Sequence, residues 1–143
     1  MPKNLKKADL TNRFLAKFID GLIASALGLV LDPVGTLMGA TYILFADGLT
    51  GGQSLGKRLT GLRVVKVDDG EIITFKDSMI RNIHLTVIYL FSLIPVFGWV
   101  VIITLGLVVI IFEAYYCVVD VNGYRVGDLA AGTVVVEVPK REK

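Results

Sequence analysis

The chain is short of the residue types that most soluble functions need. Its 143 residues include one Cys and one His. That excludes a disulfide framework and any multi-ligand Cys/His zinc site. Charge of one sign is scarce too. Lys+Arg is 15 against Asp+Glu 13, a net of +2, whereas a nucleic-acid binder needs a large basic surface. Charged residues make up 20% and apolar residues 54%, and the mean hydropathy is +0.68. A soluble domain is about 25% charged and about 45–50% apolar. A chain this short has too much surface for its volume to hide the excess. The composition therefore predicts one domain, residues 1–143, covered by a lipid bilayer.

The apolar residues are blocked rather than scattered. Residues 14–31 form one run, interrupted by charge only at Lys17 and Asp20. Residues 34–46, 83–94 and 98–117 form three more, the last broken by charge only at Glu113. A membrane span needs about 20 apolar residues. The second run reaches that length by taking Pro33 as its first helical residue and continuing to Leu49. The third reaches it from Thr74, an N-cap with acidic Asp77 at N3, which predicts a helix over 75–94. Asp32-Pro33 and the stretch from Pro95 to Gly98 are turn punctuation. The expected fold is mainly α, with four transmembrane helices arranged as two hairpins.

Basic residues orient these spans. Lys3, Lys6, Lys7, Arg13 and Lys17 stand at or near the first. Lys57, Arg58, Arg63, Lys66, Lys76 and Arg81 stand between the second and third, or early in the third. Arg125, Lys140, Arg141 and Lys143 follow the fourth. The hairpin tips carry none. The expected location is a cell (inner) membrane, multi-pass, with both termini cytoplasmic. Lys17 and Asp20 interrupt the apolar core that a cleaved signal peptide would need.

The two halves resemble each other. Gly52-Gln53-Ser54-Leu55-Gly56 matches Gly123-Tyr124-Arg125-Val126-Gly127, and the segment from Gly61 to Val67 matches that from Gly132 to Val138. A duplication would make residues 1–71 and 72–143 parallel repeat units; the plainer alternative is that short Gly/Val segments match easily. Residues 61–67 and 133–138 read as cytoplasmic β segments, and 71–75 as a return strand. Residues 54–59 and 127–131 read as single helical turns. The matched segments exchange charge, Lys57 for Asp128 and Lys66 for Glu137, so opposite charges would meet if they packed together. Residues 54–63, basic and partly apolar, read as a stretch lying on anionic headgroups, or simply as inside-positive bias.

Ionisable groups within lipid demand a reason. Arg13, Lys17 and Asp20 fall at i, i+4 and i+7 on one helix face. With Asp47, Arg81, His84 and Glu113 they form a candidate charge network at one depth, three positive and three negative with His neutral. A closed neutral network is what a structural cluster looks like; a monovalent cation or proton site is the alternative. Residues 51–58 nearly match a phosphate-cradling loop, but Arg58 stands where the Mg²⁺-binding hydroxyl belongs. Asp20 and Asp47 lack the motif of an intramembrane aspartyl protease. Ser92 and His84 are too far apart on one helix for a nucleophile and its base, and Cys117 reads as packing. No cofactor, metal or catalytic residue is expected. Gly35 and Gly39 make a small-residue face for close helix contact.

This pattern resembles the RDD family of membrane proteins, named for an Arg and an Asp in the first span and an Asp in the second. Arg13, Asp20 and Asp47 match those positions. Gly52, Gln53, Gly56, Lys57, Arg58 and Gly61 lie in its loop motif, and Asp128 and Gly132 in its C-terminal motif. The family often has His where Gly127 stands. The resemblance implies an integral membrane protein, either a scaffold or accessory subunit or a Na⁺(Li⁺, K⁺)/H⁺ exchanger. As a scaffold it would bind a membrane-protein partner through the Gly35/Gly39 face or the cytoplasmic cap. As an exchanger, Asp20, Asp47 and Glu113 would be the titrating groups, Arg13 and Arg81 the counter-charges, and four spans would need a homo-oligomer.

Overall fold

A computed structural model describes residues 6–30 and 33–138. The first hairpin tip at 31–32, and Lys3, Lys140, Arg141 and Lys143, lie outside them. Helix α1 is Leu10–Val30 and α2 is Val34–Leu49. A short α3, Leu55–Leu59, leads into strand β1, Leu62–Lys66. Helix α4 is Phe75–Leu90, and a 3₁₀ turn carries it to Leu93 before Pro95 ends it. Thr74 caps it: Asp77 N–H donates to Thr74 Oγ1 at 3.4 Å, and Thr74 N–H to Asp77 Oδ2 at 2.8 Å, which accounts for its start. Helix α5 (Phe97–Val101), a π-helical segment and α6 (Leu107–Val119) run on as one helix, Phe97–Val119. A short α7, Val126–Ala130, leads into β2, Thr133–Glu137.

The long helices run antiparallel to their sequence neighbours. Cβ atoms added at Gly35 and Gly39 would strike the carbonyls of Leu27 and Ala24. Ser78 Oγ donates to Leu44 O at 2.8 Å, and Phe75 meets Phe45 edge-on. His84 reaches Glu113, and Ile88 lies nearest Gly106. The Gly35/Gly39 face is thus consumed inside the chain, against α1 and Tyr89, and is not free for a partner.

Burial is inverted relative to a water-soluble protein. Arg13, Asp20, Thr36, Asp47, Ser78, Arg81, Asn82, Thr86 and Glu113 are buried. Phe18, Leu22, Leu29, Ile83, Trp99 and Ile103 are more than half exposed. Outward apolar and inward polar surfaces suit a hydrocarbon solvent, where polar groups must find partners internally. Among the described residues one helix, Phe97–Val119, is long and apolar enough by itself to cross a membrane, and only 11% of its most apolar window is buried.

At one end the two strands form an antiparallel ribbon, with Val64 opposite Val135. Both are fully buried, in a cluster with Ala8, Ala16 and Ile73. The expected return strand is only a bridge, Val65 to Ile72, mirrored by Lys7 to Val136. The expected charge meetings do not occur. Lys66 faces Thr133, Glu137 pairs with Lys6 at 2.7 Å, and Lys57 pairs with Asp47 rather than Asp128.

The half-to-half correspondence extends to backbone geometry. Gly61 and Gly132 both take positive φ, +70° and +61°, the left-handed stop that follows a helix. Each accepts from the other half: Val138 N–H donates to Gly61 O at 2.8 Å and Val67 N–H to Gly132 O at 2.9 Å. A Cβ on Gly56 would strike Ala16 O, and one on Gly127 would strike Arg81 O. So α3 leans on α1, and α7 leans on α4.

Candidate functional site

The buried charges gather where the long helices meet the ribbon. Asp47, on the last turn of α2, is ion-paired to Lys57 of α3. Its other oxygen faces Arg81 Nε at 3.7 Å and Asn82 Nδ2 at 3.5 Å. Asp128 of α7 sits between two guanidiniums, Arg13 Nη2 at 2.7 Å and Arg81 Nη2 at 2.8 Å, and accepts from Arg125 N–H at 3.2 Å. Arg13 also donates to Gly123 O, and Arg81 to Thr133 Oγ1 at 3.0 Å. The network therefore staples α1, α2 and α4 to both halves of the cap.

Asp20 works separately. It accepts from Tyr42 hydroxyl at 2.7 Å, Ser54 Oγ at 2.5 Å and Gly56 N–H at 2.8 Å. A carboxylate of the chain itself thus occupies the start of α3, where a phosphate-binding loop would hold its anion. Arg13, Lys17 and Asp20 share a face but not partners, because Lys17 donates to Asn82 Oδ1 at 3.1 Å. Glu113 pairs with His84 Nε2 at 2.8 Å and lies 3.8 Å from Arg125 Nη1.

Of the seven expected residues, Arg13, Asp47 and Arg81 share one ion-pair chain with Lys57 and Asp128, while Lys17, Asp20 and the His84–Glu113 pair have other direct partners. Lys57 and Asp128, expected only as motif residues, are central ion-pair partners. Tyr42, Ser54, Asn82, Arg125 and Thr133 were missed. One signal was available for two of them: Arg125 is the counterpart of Ser54, and each precedes a short helix. The neutral tally also changes to five formal positive charges (Arg13, Lys17, Lys57, Arg81, Arg125) against four carboxylates (Asp20, Asp47, Glu113, Asp128).

The remaining motif residues shape the cap. Gly52 O accepts from Val64 N–H at 2.7 Å, and Gln53 Nε2 donates to Leu62 O at 2.6 Å. Arg58 is exposed, whereas Lys57 is buried and unavailable to headgroups. Cys117 is buried with its thiol against Gly123 O at 3.3 Å, a packing position. Among the described residues no group of His, Cys, Asp and Glu could hold a metal ion.

Burial and neighbouring charges displace Lys57 and Asp128 of the cap from their ordinary values. Burial, joined by the like charges of Arg81 and Lys17, pushes Lys57 down to about 7 against the pull of Asp47. Burial alone would raise Asp128, but Arg81, Arg125 and Arg13 outweigh it and hold its carboxyl down to about 2. The Asp128 shift has a stability consequence. A depressed folded pKa contributes stability that is complete above the unfolded value near 3.8 and is lost as pH falls through about 2. The contribution is on the order of 2 kcal/mol. Melting temperatures in detergent should therefore drop more steeply between pH 5 and pH 2 in the wild type than in Asp128→Asn; parallel curves would contradict the assignment.

A sequence model described as the RDD family covers residues 28–132. No curated protein matches the chain, and no solved structure does.

Proposed function

Since the chain belongs to the RDD family of membrane proteins, we propose that it is a small multi-pass membrane scaffold or accessory subunit, not an enzyme. The observation that carries this reading is how fully three of the four buried carboxylates are engaged. Asp20 and Asp128 each accept three hydrogen bonds or ion pairs, and Asp47 is held by Lys57, Arg81 and Asn82. A cation needs oxygens with lone pairs to spare, and here donors already occupy them. The same bonds tie the long helices to the cap, which is what a scaffold requires.

Four spans with cytoplasmic termini fit the helices. The 21 residues of α1 extend about 31 Å, close to the hydrocarbon thickness of about 30 Å. Of its ionisable groups, Arg13 and Asp20 are buried and Lys17 is half-buried, and among the described residues the basic ones lie on the cap or on the helix ends next to it. The reciprocal bonds of Gly61 and Gly132 fit a duplicated unit related by a two-fold axis between Val64 and Val135. A membrane-protein partner, or a second copy, would dock on the cap, where Leu55, Leu59 and Leu129 are exposed.

The alternative is exchange of Na⁺, Li⁺ or K⁺ for H⁺, with Asp20, Asp47 and Glu113 as the titrating groups. Reconstitution in liposomes separates the two. With correctly oriented protein and an imposed Na⁺ or Li⁺ gradient, internal pH should stay constant. A pH response that Asp20→Asn abolishes without unfolding the protein would replace the scaffold by an exchanger.

A further inference from the structure

A cavity of about 760 Å³ opens among α1, α2, α4 and the Phe97–Val119 helix. Its size falls within the roughly 300–1,000 Å³ of small-molecule sites. The end nearest the ribbon is polar and the rest is mostly apolar, with Ser25 and Tyr89 as exceptions. Leu22, Ile88, Ile103 and Leu107 line the wall, and Lys17 and Arg125 lie at the polar end.

The polar end carries cations with donors to spare. Three cations (Arg13, Lys17, Arg125) and three carboxylates (Asp20, Asp47, Glu113) line it. The carboxylates are already engaged, as is Arg13 by Asp128 and Gly123. Lys17 spends one hydrogen bond, on Asn82. The nearest carboxylates to the Arg125 guanidinium stand off at 3.8 Å, and its buried Nε has no hydrogen-bond acceptor. Lys17 keeps N–H groups beyond its bond to Asn82, and with Arg125 it lines a space whose wall is apolar. An oxyanion attached to an acyl chain answers both features, and basic pockets between membrane helices are suited to anionic headgroups.

We propose that this cavity binds one anionic lipid of the surrounding bilayer, its phosphate on Lys17 and Arg125 and an acyl chain along the apolar wall. The full chain, purified in mild detergent, would be titrated with dioctanoyl-phosphatidylglycerol, dioctanoyl-phosphatidylcholine and inorganic phosphate, with binding read by native mass spectrometry. Phosphatidylglycerol should bind at least about fivefold tighter than phosphatidylcholine, the worth of one basic side chain near a lipid headgroup. Inorganic phosphate, lacking the chain, should bind more weakly than either lipid. Lys17→Gln should weaken phosphatidylglycerol by about the same fivefold factor. Lys17→Arg should restore it, and Lys76→Gln, at an exposed position on α4, should leave it unchanged. Equal binding of the two lipids overturns the proposal. So does phosphate binding as tightly as lipid, which would mark a free-anion site, or a folded Lys17→Gln that binds like the wild type. Should Lys17→Gln fail to fold, the wild-type preference among the three ligands decides the matter.

Discussion

Asp128→Ala is expected to destabilise the protein by about 3–5 kcal/mol, the cost of stranding buried charges without their partner. Asp128 is 2% exposed and is held directly between Arg13 and Arg81. Removing it leaves two guanidiniums facing each other in a space with little water. Breaking a buried ion pair costs far more than the pair contributes, because the surviving charge keeps its desolvation penalty. The effect should appear as a large fall in melting temperature in detergent, with the cap separating from the long helices. Replacing Arg81 by Met in the same chain should recover part of the loss, since one stranded charge then disappears. A loss under about 1 kcal/mol, the scale of an exposed ion pair, would show that Asp128 is not the central tie.

Asp20→Ala should cost nearly as much, about 3–4 kcal/mol, for a different reason. Asp20 is the common acceptor of three neutral donors, Tyr42 hydroxyl, Ser54 Oγ and Gly56 N–H. Each buried donor left without a partner costs about 1–3 kcal/mol, and no charge needs neutralising here. Asp20→Asn should fall between Ala and the wild type, because its amide keeps one acceptor oxygen but presents a donor to the rest. Melting midpoints of the three proteins test that order. If Asn were as damaging as Ala, the carboxylate charge itself would be the essential element.

Much of the fold was legible because its signals are local. Thr74 and Asp77 announced the start of α4, and the spacing of Gly52, Gly56 and Gly61 recurred at Gly123, Gly127 and Gly132. Both short helices and both strands appeared where that recurrence placed them. The return strand failed because residues 71–75 form one bridge and then begin α4. The residue set of the site was legible in outline, but its pairing was not. Helix periodicity put Arg13, Lys17 and Asp20 on one face, yet their partners lie on α7, α4 and α3.

The scarcity of Cys, His and net charge, and the blocks of apolar residues between clustered cations, by themselves determined a lipid-covered helical protein without a zinc or disulfide scaffold. Composition and period report on solvent and on local backbone, and both are written along the chain. Tertiary structure alone decided which acid met which base. Lys57 turned from its counterpart Asp128 to Asp47, Arg125 joined the network, and the Gly35/Gly39 face was spent on α1. Pairing depends on which side chains the packed helices bring within a few ångströms, and in a low-dielectric interior those distances decide the energy.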